Sequence, residues 1–265
     1  MQPKFCYNVN MESLWNTASI KIYKALDGQV RLVGGAVRDF LCRRPINDRD
    51  MATPLLPDEV EKKLTEAGID FVSIGKAHGT ITAKIGGKPY EITTLRKDDK
   101  TDGRHAVVSW TTSYKNDAYR RDFTVNALSA DVKGKIFDYT TGRSDLAQGL
   151  VRFIGDAEKR IQEDYLRILR YFRFWSSIAS QPIDEKVVEI CVRNQEGLNQ
   201  LSNDRLRDEM YRIITTPRAE DVLKIMKKSG LLSKRILDIT FSKKQKEQLD
   251  TMDIQKTLKK LGFKI

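Results

Sequence analysis

Cysteine is scarce in this chain of 265 residues, which holds three: Cys6, Cys42 and Cys191. They are far apart and odd in number, and no CxxC pair or Cys/His cluster occurs, so neither a zinc site nor a disulfide partner is expected. A reducing cytoplasm is the natural compartment for such a chain. Histidine is scarcer still, and the two present, His78 and His105, have no partner spacing. Long apolar runs are also missing. None approaches the roughly 18–20 residues of a membrane span, and the opening MQPKFCYNVNMESLW lacks the charged-then-apolar layout of a signal peptide. No membrane association is expected.

Positive charge is plentiful. Lys and Arg total 47 against 36 Asp and Glu, a formal net charge of +11, which suits a polyanionic partner because phosphate binding releases condensed counterions. Hydrophobic residues make up 40% of the chain, enough for real cores in one large domain or two modest ones.

The first half mixes periodicities. Residues 10–26 read as an amphipathic helix, with Leu14, Ala18, Ile22 and Leu26 on one stripe. Residues 29–33 read as a strand running into Gly34-Gly35, and 57–66 as a helix after Pro57. Strands are expected at 71–74, 80–85 and 90–95, punctuated by glycines. Residues 96–108 (RKDDKTDGRHAVV) read as a polar loop, 122–130 as a helix and 136–139 as a short strand. Beyond about residue 155 the strand signals stop. Helices are expected at 156–178, 184–195, 203–215 and 218–228, followed by a Lys-rich, weakly packed helical tail from Lys243. This predicts an α+β chain, with a mixed-sheet domain over 1–150 and an all-α domain over 151–265.

The most informative segment is 32–53, LVGGAVRDFLCRRPINDRDMAT. A strand entering a Gly pair and then a helix offers backbone N–H groups to a phosphate. Arg38 sits in the first turn, where a cation opposes the helix dipole unless an anion lies there. An ordinary tight turn with a surface Arg is the plain alternative. Asp48 and Asp50 are i and i+2, so on an extended segment both carboxylates point to one side and form a hard-oxygen site suited to Mg2+; a solvated acidic loop would read the same way. In RRDFTVNA, Arg121 offers a charge-assisted fork and Asn126 both a donor and an acceptor, while Asp122 and Thr124 are also good helix caps. Asp164 and Arg167 are i and i+3 on an expected helix, which by itself describes a simple salt bridge. In LSNDRLRDEM, Arg205 and Glu209 read as an i, i+4 pair.

Taken together these segments resemble the polymerase-beta-like nucleotidyltransferases, and within them the class II tRNA nucleotidyltransferases (CCA-adding enzymes) and bacterial poly(A) polymerases. The likeness continues in the family's order through YEITTLR (90–96), RRDFTVNA (120–127), GRSDLAQGLVRFIGD (142–156), EDYLRILRYFR (163–173) and LSNDRLRDEM (201–210), covering roughly residues 30–230. It implies a nucleotidyltransferase head followed by a helical neck and body. It implies addition of C, C and A to tRNA 3′ ends from CTP and ATP, with Mg2+ as cofactor and tRNA as partner. Asp48 and Asp50 match the metal-binding carboxylates. Glu91 matches a third, strand-borne carboxylate that helps deprotonate the primer hydroxyl, although a strand-edge surface Glu is an equal reading. Gly35 and Arg38 match contacts to the nucleotide phosphates, and Arg121, Asp122 and Asn126 match the sugar-handling motif. Asp164 and Arg167 match a protein template for the base edge, and Arg170 and Arg173 match further nucleotide-contacting arginines, on resemblance alone. Residues 96–108 occupy the place of the family's flexible loop. The Gly-Arg-rich stretch usual in the poly(A) polymerases is missing ahead of that loop, which favours CCA addition over polyadenylation. CC-only addition, A-only addition and a non-catalytic RNA-binding role stand as alternatives. Against the longer helical body and tail of the family, a C-terminally shortened chain is expected, with the lysine-rich segment 243–264 as a substitute grip on RNA.

Overall fold

The computed structural model describes residues 14–98, 108–250 and 254–263. The chain divides into two compact units between Ala147 and Gln148. The architecture is α+β, with the strands in the first unit and a second unit built of helices.

The first unit opens with α1, Thr17–Ala25. Asn16 caps it, its side chain accepting from the Ser19 N–H at 2.8 Å and so satisfying one of the donors a helix start leaves open. The expected start at residue 10 falls on 10–13, which lie outside the described residues. The stripe of Leu14, Ile22 and Leu26 is fully buried. The strands β1 (Arg31–Val33), β2 (Met51–Thr53), β3 (Asp70–Val72), β4 (Thr80–Ile85) and β5 (Lys88–Thr94) join two later ones in a seven-stranded sheet. Helices α2 (Gly35–Leu41) and α3 (Pro57–Glu66) lie between them in the chain. In α3, Pro57 occupies the first turn, Glu59 accepts from the Leu56 N–H at 2.8 Å, and Val60 and Leu64 face the core.

Two further strands, β6 (Arg96–Asp98) and β7 (Val108–Trp110), pair antiparallel as a separate ladder. The ends of the expected loop 96–108 are therefore strand, while 99–107 lie outside the described residues. Helix α4 (Tyr114–Tyr119), which sequence patterning missed, follows under a Ser113 cap.

The expected helix over 122–130 is not present. Thr124–Asn126 makes a single 3-10 turn, and Ser129–Ala130 forms β8, paired with β1 through Leu32↔Ala130 and Val33↔Ser129. Phe123 through Ala130 are buried on every side, so no amphipathic stripe exists, and an apolar run of that length cannot be told from a buried strand by periodicity. After β9 (Ile136–Phe137) and α5 (Gly142–Gln148), the sheet order is β3-β4-β5-β2-β1-β8-β9. The β2–β5 pair is parallel, and the other neighbours in the sheet are antiparallel.

In the second unit the expected helix 156–178 is two, α6 (Ala157–Glu163) and α7 (Leu166–Ile178). The break is at Asp164, which leaves the helical region (φ −156°, ψ 104°) while its carboxylate accepts from the Leu166 N–H at 3.1 Å. Short acidic side chains compete with the helix ladder in this way. The remaining helices are α8 (Glu185–Arg193), α9 (Asn203–Ile214), α10 (Ala219–Lys228), α11 (Lys234–Leu237), α12 (Lys243–Asp250) and α13 (Gln255–Leu261). Helix α7 packs on α9 and α10, with Ile168, Leu169, Phe172, Leu206, Met210, Val222 and Met226 fully buried. The tail expected to be weakly packed buries Phe241, Leu249, Leu258 and Phe263, so its lysines ride on an anchored apolar face. No helix among the described residues is long and apolar enough to cross a membrane.

Gly142 fixes the height of the 3-10 turn. A Cβ there would lie 2.3 Å from the Thr124 carbonyl oxygen and 3.0 Å from Leu128. Gly142→Ala is expected to cost about 1–3 kcal/mol, the usual range for overpacking, and to shift the Thr124–Asn126 turn. Urea unfolding together with nucleotide affinity measures both effects.

Candidate functional site

In the first unit, β1 aligns two chain segments. The Val33 N–H donates to the Asp50 carbonyl at 3.0 Å and the Gly34 N–H to the Leu128 carbonyl at 2.9 Å. Gly34 adopts φ +63°, and a Cβ there would meet the Arg121 guanidinium at 3.1 Å and the Asn126 carbonyl at 3.6 Å. Glycine is thus required both for the turn and for the approach of Arg121.

Asp50 immediately precedes β2, whose Met51 pairs in parallel with Ile92 of β5. That register sets Asp50 beside Glu91, which lies on the exposed side of β5, opposite Tyr90 and Ile92. The Asp50 carboxyl is pushed above its ordinary range, first by burial, then by the charges of Glu91 and Asp48, with Arg121 acting against them. Asp48, Asp50 and Glu91 therefore concentrate negative charge in one place. Among the described residues, no group of three or more His, Cys, Asp and Glu side chains stands close enough to enclose a metal ion alone. Mg2+ is commonly held by one or two carboxylates completed by substrate phosphates and water, and Asp48 with Asp50 fits that donor set.

Beside this acidic group lies a hydrogen-bonded chain. Arg38 donates to the Asn126 side-chain oxygen at 2.7 Å and to both oxygens of Asp39 at 3.0 and 2.9 Å. The Asn126 amide donates in turn to Asp122 at 3.1 Å, which also accepts from the Phe123 N–H at 2.8 Å. Arg121 donates to Asp117 at 3.0 and 3.3 Å and to the Asn126 carbonyl at 3.3 Å. Gly35, Arg38, Arg121, Asp122 and Asn126, dispersed over 35–126, are thus one cluster. Asp39 and Asp117, which hold its guanidinium groups in place, were missed in the sequence, although Asp117 and Arg121 have helical i, i+4 spacing.

In the second unit, Asp164 and Arg167 are not a side-chain pair on one helix. Asp164 ends α6 and accepts from Arg205 of α9 at 2.9 and 3.0 Å. Arg167 donates to Glu163 and to the Arg160 carbonyl, both at 2.6 Å. The expected Arg205–Glu209 pair is likewise replaced. Glu209 is 4% exposed and pairs with Arg173, whose guanidinium also lies 4.1 Å from the Phe174 ring centroid. Arg170 approaches the same ring at 5.3 Å. The segment 201–210 therefore supports the break between α6 and α7 and the middle of α7 through two long-range ion pairs. Their sequence separations of 41 and 36 residues carry no local signal.

Comparison with known proteins shows what the chain is similar to. Residues 30–152 match the family described as "Poly A polymerase head domain", and residues 182–238 match "Probable RNA and SrmB- binding site of polymerase A". The chain is 40% identical over 214 residues to the CCA tRNA nucleotidyltransferase 1, mitochondrial, of Danio rerio, covering 80% of this chain and 50% of that one. It is 36% identical over 201 residues to a Lactobacillus delbrueckii CCA-adding enzyme, covering 75% and 50%. The crystal structure of the Bacillus stearothermophilus CCA-adding enzyme in complex with CTP superposes with a TM-score of 0.73 at 32% identity, covering 93% of this chain and 57% of that one. The chain spans about half the length of the curated relatives it matches.

Glu209→Ala leaves the Arg173 charge buried without its carboxylate and is expected to cost about 3–5 kcal/mol, with Glu209→Gln costing less; urea unfolding compares the two. For Asp50 the folded-state pKa lies above the unfolded one. Folded protein then binds more protons, and stability falls as pH rises between the two values. Asp50→Asn is therefore expected to raise the melting temperature of chelator-treated protein at neutral pH. Adding Mg2+ should raise that of the parent more than that of the variant.

Proposed function

Since this chain belongs to the CCA-adding enzyme and poly(A) polymerase family of nucleotidyltransferases, we propose that it adds C, C and A to the 3′ ends of tRNA from CTP and ATP. The observation that carries this reading is the massing of Asp48, Asp50 and Glu91 beside the Arg38–Asn126–Asp122 chain and Arg121. Acid for a cation and fixed cationic forks for phosphate stand together at the end of one strand.

In the proposed reaction the primer 3′ oxygen bonds to the nucleotide α-phosphorus. The bond from that phosphorus to the oxygen bridging it to the β-phosphate breaks, and pyrophosphate leaves. Mg2+ held by Asp48 and Asp50 would neutralise charge on the transferring phosphoryl group and lower the pKa of the attacking hydroxyl. Glu91 takes the hydroxyl proton. Arg38 and Arg121 bind phosphate with guanidinium groups already oriented by Asp39 and Asp117. Gly35 lets the backbone approach the same phosphates, and Asn126 and Asp122 read the ribose hydroxyls.

Base choice falls to the second unit. Asp164 accepts from the exocyclic amine of C or A and Arg167 donates to ring acceptors, which leaves U and G with mismatched polar groups. In this reading Arg205, paired with Asp164, aims the carboxylate, and Glu163, paired with Arg167, aims the guanidinium. Arg170 and Arg173 line the same helix, with Arg173 held from behind by Glu209.

The test is incubation of the chain with Mg2+, labelled CTP and ATP, and a tRNA lacking its 3′ end. Incorporation of two C and one A is expected. C alone, A alone onto a CC end, or a long A tract would assign the alternative activities, and no incorporation would favour an RNA-binding role. Asp48→Ala and Asp50→Ala are each expected to lower incorporation by about a thousandfold or more, several kcal/mol of barrier, while tRNA binding persists. Arg167→Ala is expected to admit U and G; unchanged selection would remove it from the template.

A further inference from the structure

The far end of β1 from Gly34 and Gly35 opens on a cavity of about 320 Å3, whose lining includes Gln29, Arg31, Tyr114, Asp131, Lys133 and Phe137. Arg31 is its central feature. The guanidinium carbon lies 3.9 Å from the centroid of the Tyr114 ring and 3.6 Å from that of Phe137. One terminal nitrogen donates to the Tyr139 hydroxyl at 3.2 Å. Rings packed against a guanidinium strip water from its face and direct binding to its N–H edge.

What distinguishes Arg31 is the company it lacks. Arg38, Arg121, Arg160, Arg167 and Arg173 each meet a carboxylate. Arg31 is half-buried like Arg38, Arg121, Arg167 and Arg173, yet among the described residues it makes no ion pair, and its one side-chain hydrogen bond goes to the Tyr139 hydroxyl, whereas Arg218 and Arg235, also without an ion pair, have theirs filled by backbone carbonyls. The carboxylate nearest in the lining, Asp131, is engaged in its own turn, accepting from the Lys135 N–H at 2.9 Å. Two further cations attend the cavity. Lys133 is exposed in its lining, and the Lys135 ammonium stands 5.0 Å from the Phe137 ring centroid. The wall is held firm, because the Tyr114 hydroxyl donates to the Ala52 carbonyl of β2 at 3.0 Å.

We infer that this cavity is a second anion site that binds a phosphate group at the Arg31 edge, with Lys133 closing over it. It lies toward the opposite end of β1 from the carboxylates: Arg31 pairs with Ala52 in the β1–β2 register, whereas Asp50 lies two residues away, beyond the other end of that pairing. The inference stands independently of the activity proposed above. The phosphate is carried either by a small molecule such as pyrophosphate or by the backbone of single-stranded RNA, and the shared chemistry is a guanidinium fork on phosphate oxygens.

The test uses the whole chain, labelled with 15N-arginine and kept in chelator, and follows the Arg31 Nε–H signal by NMR. Inorganic pyrophosphate, a short single-stranded RNA and a chloride series of equal ionic strength are titrated separately. A saturable shift of the Arg31 signal is expected with pyrophosphate or RNA but not with chloride, and whichever ligand saturates identifies the carrier. Lys133→Met, a change at an exposed position, is expected to weaken that binding about tenfold, the loss of one charge-assisted contact. An Arg31 signal that moves only as it does in chloride, or a Lys133→Met titration superimposable on the parent's, overturns the assignment.

Discussion

The first unit is organised by two backbone hydrogen bonds made by consecutive residues. Val33 donates to Asp50 and Gly34 donates to Leu128, so the end of β1 is gripped from both flanks. One bond sets the height of Asp50, the carboxylate candidate just ahead of β2. The other sets the height of the turn that carries Asn126. Because Gly34 then turns into α2, Arg38 arrives within 2.7 Å of Asn126. The parallel β2–β5 pairing adds Glu91 from a third segment. A strand three residues long thus positions groups spread from Gly35 to Asn126.

The parts of this arrangement that were legible in the sequence are those with a local mechanism. The Gly pair, the i, i+2 carboxylates and the α3 boundary after Pro57 all follow from backbone geometry over a few residues. The helix expected over 122–130 failed because Phe123, Val125, Leu128 and Ala130 are buried together with Thr124, Asn126 and Ser129. Where every residue is inside, hydrophobic period carries no information, and tertiary pairing with β1 decides. The single helix expected over 156–178 failed at Asp164, whose carboxylate caps the following turn instead of joining Arg167. The i, i+3 spacing implies a partnership, whereas α7 begins two residues later and Asp164 pairs with Arg205 and Arg167 with Glu163.

Those substitutions of partner follow a rule. Every charged group that the family likeness marks for ligand contact, and whose ion pair is resolved, is paired with a group it does not mark. Arg38 is held by Asp39, Arg121 by Asp117, Arg167 by Glu163, Asp164 by Arg205 and Arg173 by Glu209. The exposed members of this set contribute little to stability, since surface ion pairs are worth at most about 1 kcal/mol. Their effect is on geometry: a guanidinium already clamped on one side loses less freedom when a ligand meets its other side, which makes electrostatic stabilisation effective at the moment of reaction.

This pairing also settles where the net charge of +11 acts. An arginine neutralised by a neighbouring carboxylate adds little to the field felt at a distance, so the site itself, with three carboxylates beside paired guanidinium groups, is not a strongly cationic hole. The excess positive charge sits largely on exposed lysines, including those of α12 and α13, whose apolar faces are anchored by Leu249 and Leu258. Under the proposed function, long-range attraction of RNA and short-range recognition of a nucleotide would therefore fall to different residues. The first is screened by salt over a Debye length of about 8–10 Å, whereas the second, fixed by hydrogen bonds at less than 3.5 Å, is not. Under that proposal, raising ionic strength should slow encounter with RNA while leaving nucleotide choice in place, because the groups that would draw the substrate in are not the groups that would read it.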